Sequence, residues 1–301
     1  MNAKQLVGIA LGVVVLLLLW GASELLSRRS DSTAGDLRLP APAMNDVDTI
    51  AITRGADSVL LVRHSPTSWT VNGLAAGQGA VSDLFQALHD SVKPELAAQS
   101  PGSFARMGVD SAGGRWLRVV GGGRTLGRLI VGGRGPDYDA SYVRLPGDPR
   151  VYVWHGRLPT LAARTVDDWR DRVIGAVTPE SVVAVEVQRG KQRYAIHKNG
   201  AKWTLPGGAP ADSAGVAQLL ARLRSVSASG FASARQADSL RFDRPQRRVT
   251  ARGTTGELLA LAFDSTAGGF WVRRPSGGTV YRLDFWQVDQ LTPTADALKH
   301  K

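Results

Sequence analysis

The chain of 301 residues repeats its own pattern once, and this internal duplication constrains its fold more than any other feature. The tripeptide Trp-Thr-Val at 69–71 returns as Trp-Thr-Leu at 203–205, about 130 residues later. An aliphatic stripe with the 3-4-7 spacing of a helix also occurs twice, at 81–88 and at 216–223. A repeated pattern of core residues marks a repeated folding unit, so the sequence predicts two tandem units.

Each unit reads as antiparallel strands with few helices. Short alternating strands open the repeats at 49–52 and 183–187, and further strands follow each helical stripe. Gly-rich turns such as the one at 121–123 separate those strands, and no parallel βαβ rhythm is present. The predicted class is α+β, with two tandem repeats of an antiparallel sheet plus a packed helix, residues 46–175 and 176–301.

Residues 1–27 are predicted to form a transmembrane anchor. No charge occurs between Lys4 and Glu24, and a helix over residues 5–23 approaches the ~30 Å thickness of the hydrocarbon layer. Contact with the lipid bilayer is therefore expected through residues 5–23. The alternative is a cleaved signal peptide, with Gly-Ala-Ser at 21–23 as the cleavage site.

The position of the apolar segment also predicts its orientation. A short N-terminal tail before the segment and a large domain after it favour a single-pass protein of the inner membrane. The C-terminal repeats would then lie outside the cytoplasm. Residues 28–45, which end in a Pro-Ala-Pro stretch, are predicted to be a juxtamembrane linker.

Composition narrows the classes of function. The absence of cysteine excludes disulfides and thiolate catalysis. The net charge of +11 is concentrated in residues 173–301, which hold 18 basic and 10 acidic residues. The basic residues are dispersed and no recognition motif accompanies them, so the sequence does not predict a nucleic acid as a partner. One functional hypothesis is therefore a binder of an anionic envelope polymer or lipid through the basic second repeat.

No motif for catalysis, for a cofactor or for a metal stands out. The Gly-rich run at 121–135 lacks the Lys-Ser/Thr of a phosphate loop and indicates hairpin turns. The acidic stretch at 137–141 lacks the turn glycine and the closing glutamate of a calcium loop. The histidines have no ligand spacing, and no serine elbow is present. The sequence predicts a protein that is not an enzyme, with an unrecognised hydrolase as the lesser alternative.

Aromatic residues divide into those that recur in both repeats and those that do not. The recurring pairs are predicted to lie in the two cores: Trp69/Trp203, Tyr142/Trp271 and Tyr152/Tyr281. The others, together with two adjacent arginines of the basic repeat, are candidates for a partner surface. These candidates are Trp116, Trp154, Trp286, Arg247 and Arg248.

The order of the motifs resembles the DUF4340 family. After the Trp-Thr-Val strand come Gly-Val-Asp at 108–110, Leu-Ile-Val-Gly at 129–132, Tyr-Val-Arg at 142–144 and Val-Tyr at 151–152. The resemblance spans residues 46–298, although the second repeat has Arg-Phe-Asp at 241–243 instead of the Gly-Val-Asp turn. It implies no established catalytic residues.

Many proteins of that family have a single N-terminal anchor and are associated with ABC-type export systems, including gliding-motility-like ones. Combined with the predicted anchor, the resemblance implies a non-enzymatic accessory or scaffold protein outside the cytoplasm. Its expected partner is a membrane protein such as the permease of an ABC-type transporter, and no cofactor is implied.

Overall fold

A computed structural model describes residues 37, 41–90, 93–240 and 242–299. The predicted anchor at 1–27 and most of the predicted linker lie outside these residues. Within the described ranges, no helix is long and apolar enough to cross a membrane. The chain divides into two compact units, the first ending at Asp171 and the second beginning at Arg172.

The first unit is built on one nine-stranded sheet. Its strands are β1 (Thr49–Arg54), β2 (Asp57–Ser65), β3 (Ser68–Val71), β4 (Leu74–Ala75), β5 (Glu95–Ala98), β6 (Arg115–Gly121), β7 (Arg124–Arg134), β8 (Ala140–Arg144) and β9 (Val151–His155). They lie in the order β4-β3-β2-β1-β6-β7-β8-β9-β5, and all neighbours are antiparallel. Its helices are α1 (Gln78–His89), α2 (Phe104–Met107), α3 (Leu158–Ala162) and α4 (Val166–Trp169), with 3-10 turns at Met44–Asp46 and Pro101–Ser103.

Helix α1 covers one face of this sheet with the stripe that the sequence predicted. Val81, Leu84 and Leu88 are buried, and they join a core with Ile50 and Ile52 of β1. Alternate residues of β1 are buried because successive side chains of a strand point to opposite faces. Burying each such aliphatic side chain contributes about 1.5–3 kcal/mol, so the stripe is the main attachment of α1 to the sheet.

The second unit follows the same path, with ten strands of which eight form its main sheet. Its strands are β10 (Val173–Gly175), β11 (Ala184–Arg189), β12 (Gln192–Asn199), β13 (Lys202–Thr204), β14 (Val226–Ser227), β15 (Gly230–Phe231), β16 (Arg247–Gly253), β17 (Gly256–Thr266), β18 (Gly269–Arg274) and β19 (Gly277–Leu283). The main sheet has the order β13-β12-β11-β16-β17-β18-β19-β15, while β10 and β14 form a separate pair. Its helices are α5 (Ser213–Leu223), α6 (Ala234–Ser239) and α7 (Phe285–Leu291), with 3-10 turns at Pro179–Ser181, Pro206–Gly208 and Asp296–Leu298.

The two units agree in detail as well as in strand order. The β6–β7 hairpin of the first unit and the β16–β17 hairpin of the second both shift register near the end of their first strand, at Val119/Val120 and at Ala251/Arg252. The prediction of an α+β fold with antiparallel sheets is thus confirmed. The edge strand β5 and its counterpart β15 were not predicted, because each is short and is defined only by pairing with a strand far along the chain.

The face of each main sheet that points away from the long helix is covered only in part. In the second unit a small cluster packs there around Phe242, Trp271 and Val280, over the β17–β19 side of the sheet. This cluster leaves β12, β11, β16 and the start of β17 with polar side chains on that face. The candidate site lies on this uncovered region.

Candidate functional site on the second sheet

The uncovered face begins with a row of polar residues across three neighbouring strands. Gln188 on β11 pairs with Arg193 of β12 on one side and with Arg248 of β16 on the other. Val185 and Val187 of β11 are buried in the core, so the alternate residues of this strand must point to the opposite face. The two arginines therefore flank Gln188, with their Cα atoms about 10 Å apart.

The next row forms a depression. Glu186 pairs with Ala195 on one side and with Thr250 on the other, and Thr250 pairs with Ala260 of β17. The short side chains at 195, 250 and 260 leave a cavity of about 430 Å³ on the sheet, and Arg193 and Arg248 also line it. A volume of this size falls within the range of small-molecule pockets.

One arginine of the cavity is neutralised by the protein. Arg252 donates to both carboxylate oxygens of Glu186, from Nε at 2.6 Å and from Nη2 at 3.4 Å. The hydrogen bond and the negative charge of Glu186, with a smaller effect of Glu257, raise the pKa of Arg252 above its ordinary value. Because this end holds both carboxylates with one arginine, it carries hydrogen-bonding groups but no excess of positive charge.

The other two arginines of the cavity are not neutralised. Within the described part of the chain, neither Arg193 nor Arg248 has a hydrogen-bond acceptor or an ion-pair partner. The Nε of Arg248 is also shielded from solvent. A buried N–H without an acceptor costs about 1–3 kcal/mol, and more when the group is charged. This end of the cavity therefore has positive charge available for a ligand.

A third arginine continues the row, and we call Arg193, Arg248 and Arg273 the arginine row. Ala262 of β17 pairs with Arg248 on one side and with Arg273 of β18 on the other. The guanidinium of Arg273 lies 4.7 Å from the ring centroid of Phe242, and its buried Nε has no acceptor among the described residues. The stacking holds this arginine against the small apolar cluster without neutralising it.

The first unit carries different residues at the corresponding places. Thr53 of β1 pairs with Ser58 and Trp116, where Gln188 of β11 pairs with the two arginines of the row. The short floor residues are replaced by larger ones: Leu60, Arg118 and Arg128 stand at the positions of Ala195, Thr250 and Ala260. The cavity and its free arginines thus belong to the second unit, although the scaffold is shared.

Arg144 in the first unit is the counterpart of Arg273, and there the charge is satisfied internally. Its Nε and Nη2 donate to the carbonyl of Val109 at 3.1 and 3.0 Å, and its guanidinium lies 4.1 Å from the ring centroid of Phe104. Burial lowers the pKa of Arg144, while the charges of Asp148 and Asp110 act in the opposite direction. This arginine therefore has a structural role.

The first unit is expected to lose stability in acid through Asp148. The hydrogen bond from the Arg150 side chain lowers the pKa of Asp148 below its ordinary value of 3.8. A carboxylate with a lowered pKa stabilises the fold fully above the ordinary value, and this contribution is lost as the pH falls through the lowered pKa. We expect thermal unfolding of wild type to shift downward between pH 5 and pH 2 by more than that of Asp148→Asn. Equal shifts would contradict this role.

The structure separates the three tryptophans that were predicted to mark a partner surface. Trp154 is only 2% exposed and belongs to the core of the first unit, so the prediction is wrong for this residue. Its counterpart in the second unit is Leu283, which is buried in the core of that unit. Trp116 is half-buried against a smaller cluster. Trp286 is 56% exposed at the start of α7 and remains a surface candidate.

The two predicted arginines also differ. Arg247 forms an ion pair with Asp289 of α7, donates to the hydroxyl of Thr292 at 3.2 Å and stacks on Phe270. Arg189 pairs with the same carboxylate at 3.2 Å, so these arginines attach α7 to the sheet. Arg248, by contrast, lies in the arginine row. The structure does not bring Arg247, Arg248 and Trp286 together into one site.

Sequence reasoning missed the other residues of the cavity. Arg193, Arg252 and Glu186 each looked like solvent-facing strand residues. A signal was present: Arg248, Thr250 and Arg252 alternate with buried residues on β16, which places them on one face. A second signal is the difference between the repeats: at corresponding strand positions the first repeat has Ser58 and Trp116, and the second has Arg193 and Arg248.

Comparison with known proteins gives a family and no described function. A family model described as "Domain of unknown function (DUF4340)" matches residues 69–245, which include most of the first unit and the beginning of the second. No curated protein and no solved structure matches the chain. The match extends over more than half of the sequence and includes β11, β12 and α5. The chain belongs to the DUF4340 family.

Proposed function

We propose that this chain is a non-enzymatic accessory protein of the inner membrane that binds a membrane protein partner. Residues 5–23 would anchor it in the bilayer, and both units would lie outside the cytoplasm. The uncharged N-terminal stretch supports the anchor. The association of similar proteins with ABC-type export systems supports the permease of such a transporter as the partner.

The observation that carries this proposal is an exposed aromatic pair at the start of α7. Phe285 is 48% exposed and the adjacent Trp286 is 56% exposed. The ring of Phe285 meets the buried ring of Phe270 edge-on, with 5.5 Å between the centroids, so the pair is held by the core. Exposed aromatic side chains on a rigid support are typical of the residues that dominate binding energy in protein interfaces.

Purification of the full chain from membranes in a mild detergent tests the proposal. We expect a membrane protein to be recovered with wild type, and Trp286→Ala to reduce its recovery at least tenfold, because a central aromatic of an interface contributes about 2 kcal/mol or more. Tyr138→Ala is the matched control, since Tyr138 is an 88% exposed aromatic of the first unit. Recovery of wild type without a membrane protein would contradict the proposal. Equal recovery of the membrane protein with Trp286→Ala and with Tyr138→Ala would also contradict it.

A further inference from the structure

We propose that the cavity of the second sheet binds a small hydroxylated molecule or terminal group that carries one oxyanion, such as a sugar acid or a sugar phosphate. Arg193 and Arg248 would bind the oxyanion. The hydroxylated body would lie over Ala195, Thr250 and Ala260. This ligand site does not depend on the membrane partner proposed above, because none of its residues belongs to the exposed aromatic pair.

The arginines determine the charged end of the ligand. Two guanidinium groups without internal acceptors point to the same face from the two strands that flank β11, on either side of Gln188. Guanidinium groups match carboxylate and phosphate oxygens in geometry and charge. An oxyanion between them would supply the acceptors that the described residues do not.

The opposite end of the cavity determines the uncharged part. Glu186 is already paired with Arg252, and Glu257 stands opposite Arg252 in the strand register, so two carboxylates share one arginine and would repel a second anionic group of the ligand. These side chains and the hydroxyl of Thr250 are suited to bind ligand hydroxyl groups. The volume of about 430 Å³ fits a single sugar-sized unit rather than a folded partner.

The differences between the repeats support a ligand site over a structural role. The pairing pattern around the cavity is the same in both units, so neither arginine is needed to build the sheet. The first unit folds the same strands with Ser58 and Trp116 at these places. Structural arginines of this protein, such as Arg144 and Arg247, have acceptors within the chain.

Calorimetric titration of the full chain in detergent at low salt tests the proposal. The probes are glucuronate and glucose 6-phosphate, with glucose as the neutral control of the same ring. We expect saturable binding of at least one anionic sugar, and none of glucose. Arg193→Ser, which introduces the residue of the first unit, and Arg248→Gln should each raise the Kd about tenfold or more, the loss expected for a hydrogen bond to a charged group.

Arg128→Gln is the matched control, because it removes one arginine from the corresponding face of the first unit and should leave the Kd unchanged. Binding of glucuronate alone assigns the site to carboxylates, and binding of glucose 6-phosphate alone assigns it to phosphates. The proposal is overturned if neither anion binds, if glucose binds as well as they do, or if Arg193→Ser and Arg248→Gln both bind like wild type. Because Arg193 is exposed, its variant is expected to fold normally.

Discussion

Replacing Trp154 by alanine is expected to lower the free energy of unfolding by about 3–5 kcal/mol, the usual cost of truncating a large buried aromatic residue. The side chain is 2% exposed on β9, a strand whose residues are nearly all buried. Truncation would leave a cavity between β9 and the rest of the core, because close-packed neighbours relax only partly. Chemical denaturation of the full chain, followed by circular dichroism, measures the loss.

Trp286→Ala provides the comparison for this experiment. Since Trp286 is mostly exposed, its truncation should change the free energy of unfolding by less than about 1 kcal/mol, as for most surface substitutions. Hydrogen exchange should locate the damage caused by Trp154→Ala in the strands of the first unit. Equal destabilisation by the two variants would show that Trp154 does not belong to the core.

Replacing Gly121 by alanine is expected to destabilise the first unit by about 3 kcal/mol, the upper range for forcing extra atoms into a packed site. A Cβ atom added at Gly121 would overlap the carbonyl oxygen of Asp46. Since that oxygen belongs to the backbone, no side-chain rotation can relieve the overlap. The end of β6 or the turn before β1 would have to move.

The duplication supplies a control at the corresponding position. Gly253 ends β16 as Gly121 ends β6, but a Cβ atom there would lie 3.1 Å from the carbonyl oxygen of Ser181 and 3.2 Å from the flexible side chain of Leu258. A shift of a few tenths of an ångström relieves these contacts. Gly253→Ala should therefore cost about 1 kcal/mol or less. Thermal unfolding of both variants measures the difference. A larger decrease in melting temperature for Gly253→Ala than for Gly121→Ala would contradict this prediction.

The elements that the sequence predicted correctly are those with a local pattern. The stripe of α1 and the alternation of β1 are visible within a dozen residues, because helix and strand periods are properties of neighbouring positions. The edge strand β5 has no such pattern. Its residues Glu95–Ala98 become a strand through pairing with β9, a contact between distant segments that no local window contains.

The candidate site could be predicted only in part. Arg248 was singled out for its charge, and the structure gives it a place in the arginine row. Arg193 was not predicted as a site residue, because nothing in the sequence distinguishes it from the other arginines on strands. Arg247 was singled out for the same reason as Arg248, yet it points to the other face and is paired with Asp289. Adjacent strand residues face opposite sides, so charge alone could not distinguish them.

The sequence by itself determined the duplication, the α+β class and the stripes that attach the long helices, because hydrophobic spacing along the chain encodes these features. The tertiary structure alone decided which arginines share a face, which of them lack counterions, and which tryptophans are buried. These properties depend on cross-strand register: Arg193 and Arg248 lie in one row, on either side of Gln188, because both pair with it. Two repeats with one scaffold can therefore carry different surfaces, and the second unit has a charged cavity where the first has Ser58 and Trp116.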